Sequence, residues 1–490
     1  MTSPGGLRDP EDWFGFIEPR LLDGLQDWLS GQDAFLLSKP KFLHRSDQTP
    51  IAVAQLDEDG RASRTVIVRL LPSRDSSVEF RGIESARQES PAAFRRHLPE
   101  VYRMGELAGT GWAVHIHEIS PVDGTQLNSL GDLLDDQLGE YAGRIVNAVV
   151  NGWTRTAPTT VERVSPADYL WESQDDNRAP DGSLRRFSQV TGLNLDDPAS
   201  TVVVRGRGSL PNPLALMRGA IGADLPPVSL FSGLGHGDMV LDNVLVPVGG
   251  EVFADEFRLI RLRRFTAHAP IAADPATLLL SIAQRRLSEL PPGSSERSNL
   301  AELTVAPWAF SASKATKDFR LVSARIHSAG HAWATEHRVS GDWPAHFLLI
   351  LIDAALRRVG LLGQPGPEGW WYLEVAAVAT RCLLDPAGYH LTPREILEVD
   401  ERPKPVVRPG RYSPQQRLCF VRHLGDSWTF LHILLEIEDY ETKRWAQGDE
   451  PDRIWKYLVH HNRLTELSAA LRNVGRNDLA DMLDGIVAPY

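Results

Sequence analysis

Apolar residues recur at helical spacing across residues 13–28 (Phe16, Ile17, Leu21, Leu22, Leu25, Trp28), which predicts an opening helix. Three short apolar runs, 51–56, 65–70 and 112–119, are each fenced by Gly, Asp, Ser or Pro and read as strands. From about Asp132 helical spacing dominates, with polar breaks at 172–186 and 291–299 and isolated strands expected at 201–204 and 243–246. Strong helices are expected at 345–359 and 372–384, parted by a loop at 363–369. The prolines and charges of 400–414 disfavour helix and strand alike and mark a domain boundary. After Tyr412 apolar positions again follow a helical period: Trp428, Leu431, Leu434 and Leu435; Ile454, Trp455 and Leu458; Leu464, Leu467, Leu471 and Val474. Gly475 is placed to end one helix and Asn477 or Asp478 to cap the next, so the tail reads as a bundle of short helices.

Composition narrows the class. A chain of 490 residues, 42% hydrophobic and 24% charged, has the balance of an ordinary globular protein of two or three domains. Two cysteines, Cys382 and Cys419, make no disulfide framework and suit a reducing compartment. The opening Met-Thr-Ser-Pro-Gly-Gly lacks a signal-peptide pattern. The longest apolar stretch, 347–356, contains Asp353 and is too short to cross a bilayer. A cytoplasmic protein with no membrane partner is the expectation. The net charge of −12 argues against nucleic acid as a partner.

The chemistry concentrates in Gly235-His236-Gly237-Asp238 and the residues that follow to Val246. Asp238 and Asn243 are five apart, and Asn243 opens a β-branched strand. That spacing lets an aspartate meet an attacking hydroxyl while the asparagine reaches a magnesium on nucleotide phosphates. A glycine-rich turn before a strand is the plainer alternative. The His236-Gly237-Asp238 form resembles aminoglycoside phosphotransferases and their kinase-like relatives. Pro211-Asn212-Pro213-Leu214 upstream, then a hairpin over 246–258 and Leu259-Ile260-Arg261-Leu262, fall in the order of such proteins. Ser90-Pro91-Ala92-Ala93-Phe94 and Arg96-His97-Leu98 resemble the N-terminal lobe of kinase-like domains in bacterial conflict systems, the ternary-complex-associated group.

The resemblance implies an α+β, bilobal protein-kinase-like fold. Its N-terminal lobe spans 1–125 and its mostly helical C-terminal lobe 126–400, with a separate helical domain at 412–490. It also exposes departures. Where such kinases carry Leu-Ile-Asp-Phe, Arg261 replaces the metal-bridging aspartate. Magnesium needs hard oxygen ligands, whereas a guanidinium offers only donors and keeps its charge. Two like unit charges about 4 Å apart repel by about 4 kcal/mol at an effective dielectric of 20. Arg69 occupies the place of the phosphate-pairing lysine, with Glu84 as its candidate partner and Glu79 and Glu89 in competition. No glycine lies within 40–55, where a phosphate-covering loop belongs. Asp255 and Asp274 are considered as replacement ligands and set aside, Asp255 as a hairpin residue and Asp274 as part of an Asp-Pro helix start.

In the tail, the string from Leu467 to Leu479 resembles the closing helices of death-like effector-associated domains, as does Gly425-Asp426-Ser427-Trp428 before the second helix. Such domains join proteins through like-with-like contacts. Glu438 and Asp439 would then supply an acidic face and Arg472 and Arg476 a basic one. A packing extension of the body is the alternative. His327, His331 and His337 suggest zinc only by spacing, without a glutamate between the first pair, and His115 and His117 alternate on a strand without acidic partners.

The expectation is a pseudokinase adaptor or sensor in bacterial signalling or defence, with Asp238 a vestigial base beside Asn243 and His236. Arg69, Glu84 and Arg261 would form the ligand side of the cleft, for a nucleotide or small molecule. No cofactor is expected, a nucleotide without magnesium being the exception left open. The rival is an active ATP-dependent phosphotransferase, or a nucleotide-transferring enzyme, with divergent metal use.

Overall fold

The computed structural model describes residues 6–483 apart from 8–9, 14–16, 33–34, 44–48, 59–62, 119–124, 134, 155–159, 205–207, 250–251, 362–365, 389–413, 425–427, 436, 438–449 and 461–462. The chain divides into two compact units, Met1–Pro247 with Phe253–Ile396, and Val248–Val252 with Leu397–Tyr490.

The first unit opens with strand β1 (Gly6–Leu7) and helix α1 (Pro19–Ser30). The expected helix from Trp13 thus starts later, because Pro19 sets its first turn and Pro10–Trp13 forms a 3₁₀ turn of its own. Strands β2 (Phe35–Phe42), β3 (Ile51–Glu58) and β4 (Arg64–Pro72) lead to helix α2 (Ser73–Glu89), then β5 (Glu100–Leu107) and β6 (Trp112–Glu118). These strands form one sheet in the order β1-β2-β3-β4-β6-β5, antiparallel except where β1 joins β2.

Alternation along a strand sends neighbours to opposite faces, and β4 is buried on both. Val66, Val68 and Leu70 join Leu21, Leu22, Leu25 and Leu29 of α1 in one core. Ile67 and Arg69 share the other face, where Arg69 pairs in register with His115 and Ile67 with His117. On that face Leu43, Ile51, Val53 and Ile67 close into a cluster with Leu127, Leu245 and Ile260, every member at most 9% exposed. The last three belong to the second lobe, so the two lobes meet through packed hydrocarbon.

The second lobe starts at β7 (Gln126–Ser129) and α3 (Asp135–Asn147), continues through β8 (Thr160–Val164), α4 (Pro166–Ser173), α5 (Asp175–Arg178), α6 (Ser183–Thr191), the hairpin β9 (Thr201–Val204) and β10 (Gly208–Pro211), and α7 (Pro213–Met217). Strands β11 (Val228–Gly235), β12 (Val244–Val248), β13 (Arg258–Leu259) and β14 (Thr266–Pro270) follow. They make two small sheets, β14-β11-β8 and β13-β12-β7. Helices α8 (Ala273–Glu289), α9 (Ser295–Val305), α10 (Lys317–Glu336), α11 (Trp343–Leu361) and α12 (Pro367–Leu384) complete it. The apolar stretch 347–356 is the buried centre of α11, as its length predicts. Gly330 lies within α10 because a Cβ there would stand 2.3 Å from the Trp343 ring.

The second unit holds helices α13 (Pro414–His423), α14 (Trp428–Leu434), α15 (Glu450–His460), α16 (Leu467–Asn473) and α17 (Asn477–Leu483). Phe420, Leu431, Ile454, Trp455, Leu458, Leu467, Leu471 and Leu479 form its core. Gly475, with φ of 77°, makes the left-handed turn between the last two helices. The boundary expected at 400–414 lies outside the described residues except for Pro414, which opens α13. No helix among the described residues is long and apolar enough to cross a membrane.

Candidate phosphotransferase-like site

The loop after β11 is held by hydrogen bonds that converge from three elements. Asp274, in the first turn of α8, accepts the amide N–H of His236 through Oδ2 (2.7 Å) and that of Gly237 through Oδ1 (3.0 Å). Burial pushes the Asp274 carboxyl up, and His236 with the two amide donors pulls against that shift. Asp274 is therefore a brace for the loop and not a replacement ligand. Gly237 has φ of 77°, and a Cβ there would come within 2.3 Å of the Arg264 carbonyl. The His236 ring is wholly buried; its Nδ1 accepts from the Asp238 amide (3.2 Å), so Nε2 carries the proton and donates to the Ile260 carbonyl (2.7 Å).

Asn243 turns back on the same loop. Its Nδ2 donates to the Asp238 carbonyl at 2.7 Å and to the carboxylate Oδ2 at 3.4 Å. Its carbonyl receives the Ile260 amide at 3.0 Å. The side-chain Oδ1 of Asn243 is buried with no hydrogen-bond partner. Asp238 and Asn243 are thus brought together as their spacing predicts, and Ile260, bonded to Asn243 and His236, leads into Arg261. Arg261 takes left-handed backbone angles, φ 64° and ψ 55°, uncommon for a residue with a side chain.

The first lobe contributes Arg69, which pairs with Glu79 and not with Glu84. Glu79 Oε1 lies 2.5 Å from the Arg69 guanidinium and also accepts the Leu262 amide at 3.1 Å. The correction follows from helix geometry. Ser76, Glu79, Ile83 and Ala86 fall at spacings of three and four and form the buried face of α2, whereas Glu84 faces solvent. Gly82 lets α2 press onto the loop, since a Cβ there would stand 2.1 Å from the Leu262 carbonyl. Burial pulls the Arg69 guanidinium below its usual range; Glu79 opposes this, and Arg261 and Arg263 add to it.

His115 and His117, which carried little meaning as an alternating pair, flank Arg69. His115 Nε2 meets the Ser76 hydroxyl at 2.8 Å, and the two rings stand 5.8 Å apart. Burial lowers His115 to about 4 and His117 well below the usual histidine range, so both are neutral near pH 7. Sequence spacing could have placed Arg69 and His115 on one face, but only strand register shows that they are neighbours.

The donor set does not fit magnesium. Asn243 Oδ1 and the Asp238 carboxylate are oxygens of the kind magnesium takes, but the Arg261 guanidinium offers only donors and a positive charge. Asp255 is turned away and bonded to Arg144, its Oδ1 receiving Arg144 Nε at 3.2 Å. No group of three or more His, Cys, Asp or Glu side chains among the described residues is arranged to hold a metal ion. His327 instead packs in the core, its Nε2 3.0 Å from the Thr304 carbonyl, with burial lowering it to about 4.

In the tail, Arg472 and Arg476 are occupied within their own domain. Arg472 bonds Asp481 at 2.7 Å. Arg476 bonds Asp478 at 2.7 Å and donates through Nη1 to the carbonyls of His423 (2.6 Å) and Leu424 (2.9 Å) at the end of α13. Arg476 is thus a cap holding one helix end to another turn, which a linear reading of charge could not show. Glu438 and Asp439 lie outside the described residues.

Residues 414–485 match the family described as bacterial Death-like domain 3. No curated protein matches this chain. Among solved structures, similarity extends to a Ralstonia eutropha protein assigned to the aminoglycoside phosphotransferases, 13% identical, covering 74% of this chain and 97% of that one at a TM-score of 0.37. A glucosamine kinase in complex with glucosamine, ADP and inorganic phosphate is 10% identical, covering 71% and 81% at 0.33. An amicoumacin kinase, hAmiN, in complex with AMP-PNP, Ca²⁺ and amicoumacin is 10% identical, covering 72% and 90% at 0.30.

Proposed function

We propose that this chain, a kinase-like body joined to a bacterial death-like helical domain, is a non-catalytic adaptor that recruits an effector protein through its tail. The observation that carries the reading is Arg261. The loop around Asp238 and Asn243 is braced and an ion pair joins β4 to α2, as Arg69–Glu79, yet a guanidinium stands where phosphoryl transfer needs a metal-binding carboxylate. The apolar cluster of Leu43, Ile51, Val53, Ile67, Leu127, Leu245 and Ile260 supports a body whose two lobes are packed together. Bacterial signalling or defence is the setting that the tail family suggests.

The test has two arms. ATP with magnesium is expected to leave the melting temperature unchanged, whereas a ligand at a hundred times its Kd adds about 2.7 kcal/mol of stability. Removal of residues 412–490 is expected to leave a folded body that no longer pulls down an effector bearing a death-like domain. Unchanged recruitment by the truncated chain would refute the adaptor role.

A second reading rests on one observation, the retained Asp238–Asn243 pair with its unpartnered Oδ1. On it the protein is a phosphotransferase with divergent metal use, and Asp238→Asn would abolish a measurable magnesium- or manganese-dependent phosphate transfer.

A further inference from the structure

The hairpin of β9 and β10 is a sheet of its own, and among the described residues β9 pairs with β10 alone. Its register sets Val202 opposite Leu210 and Val203 opposite Ser209. The Asn212 amide donates to the Ser200 carbonyl at 3.0 Å, which fixes the bonded positions of the ladder. Antiparallel strands alternate bonded and non-bonded pairs, so 200 with 212, 202 with 210 and 204 with 208 exchange bonds within the hairpin. The N–H and C=O groups of Thr201 and Val203 consequently point outward, away from β10. Side chains alternate as well. Val202 and Leu210 are buried, whereas Thr201 and Ser209 are exposed and Val203 is 75% exposed. Natural sheets guard such edges with lysine, proline or a covering element. The edge Thr201-Val202-Val203-Val204 has no lysine or proline and consists wholly of β-branched residues, which pair readily.

We infer that the outer edge of β9 pairs antiparallel with the same edge of a second copy of this chain, joining the two hairpins into one sheet across a twofold axis. The edge is self-complementary, as an isologous contact requires. With Val202 at the axis, Thr201 faces Val203 of the partner subunit, and Val203 faces the partner's Thr201. Each facing pair exchanges both of its bonds, so every outward N–H and C=O of Thr201 and Val203 is satisfied. The exposed Val203 side chain gains a β-branched neighbour across the strands. Charge follows the same symmetry. In the sequence Asp196 and Asp197 precede β9, and Arg205 and Arg207 follow it. An antiparallel copy sets acid against base at both ends, whereas a parallel copy would set like against like. An edge of four residues is a small contact, so the association is weak and concentration-dependent. The pairing does not rest on the adaptor reading. Its consequence does: a dimer presents two tails, which raises the effective concentration of the second for a bivalent effector.

The full chain is to be followed by sedimentation equilibrium and by amide hydrogen exchange from low to high micromolar concentration. Its mass is expected to rise toward that of a dimer, and the Thr201 and Val203 amides to exchange about tenfold more slowly at the high end. Val203→Lys, at a side chain that makes no buried contact, should abolish the protection of Thr201 while leaving the melting curve in place. Val190→Lys, at a valine 68% exposed on α6, should leave the protection intact. A chain that stays monomeric throughout, or protection retained by Val203→Lys, would overturn the assignment. A rise in mass with the β9 amides unchanged would also overturn it and place self-association in the tail. Amides already slow in the dilute monomer would overturn it too, by showing that the chain covers this edge itself.

Discussion

Glu79 holds the Arg69 guanidinium and the Leu262 amide with the same carboxylate oxygen, at 2.5 and 3.1 Å. One side chain on α2 thereby ties the sheet of the first lobe to the loop carrying Arg261. Both partners are almost fully buried. Removing one leaves the other charged in a medium of low polarity, so Glu79→Gln is expected to cost about 3–5 kcal/mol in urea denaturation. The double variant Arg69→Met/Glu79→Leu should lie closer to wild type than either single change, because no orphan charge remains. A double variant as unstable as the sum of the singles would show that the pair contributes packing alone.

The same helix makes its second contact through Gly82. Gly82→Ala should drive α2 away from Leu262 and destabilise the protein by about 1–3 kcal/mol, although alanine is the better helix former. Comparison of urea midpoints checks this, with Arg81→Ala on the exposed side as the reference. A neutral or stabilising Gly82→Ala would mean that the helix and loop are not in contact in solution.

The two tail arginines should separate. Arg476→Glu is expected to destabilise the helical domain by about 1.5–3 kcal/mol, through loss of its charged hydrogen bonds to the end of α13. Arg472→Glu loses its partly exposed pair with Asp481 and should stay within about 1 kcal/mol of wild type. Arg472 is therefore the clean probe of a basic docking face. Loss of effector pull-down in Arg472→Glu with an unchanged melting curve would mark that face as an interface, and normal pull-down would remove it from consideration.

Acid should unfold the first unit early. His115 and His327 are lowered to about 4 and His346 to about 3, all chiefly by burial. A histidine depressed in the folded state contributes stability that is whole above its ordinary value of 6.5, and that stability is lost as pH falls toward the folded value. Between pH 6.5 and 4 the unfolded chain binds the extra protons, so stability falls by about 1.4 kcal/mol per pH unit for each such ring at most. Asp274, raised by burial, runs the other way and offsets part of this. Urea midpoints measured from pH 7 to 4 should decline steadily, and His346→Gln should flatten the slope. A flat wild-type profile would contradict the buried, neutral state of these rings.

Much of this protein was legible in one dimension. The catalytic-loop spacing of Asp238 and Asn243, the guanidinium at 261, the strand around Arg69 and the helical tail with its break at Gly475 all follow from local rules, because turn residues and apolar periods act over a few neighbours. The strand over 201–204 and the helices around 345–359 and 372–384 were equally local. The strands Phe35–Phe42 and Glu100–Leu107 were not predicted, since the first includes a Lys-Pro-Lys stretch and the second is half polar. Tertiary structure decided the partners. Glu79 displaced Glu84 because helix phase, not distance along the chain, selects the side chain that reaches Arg69. Arg476 became a cap because the end of α13, more than fifty residues away in sequence, comes to meet it. The apolar cluster formed because residues from β3, β4, β7 and β12 meet only once the two lobes are assembled, and burial free energy depends on neighbours that no local spacing names.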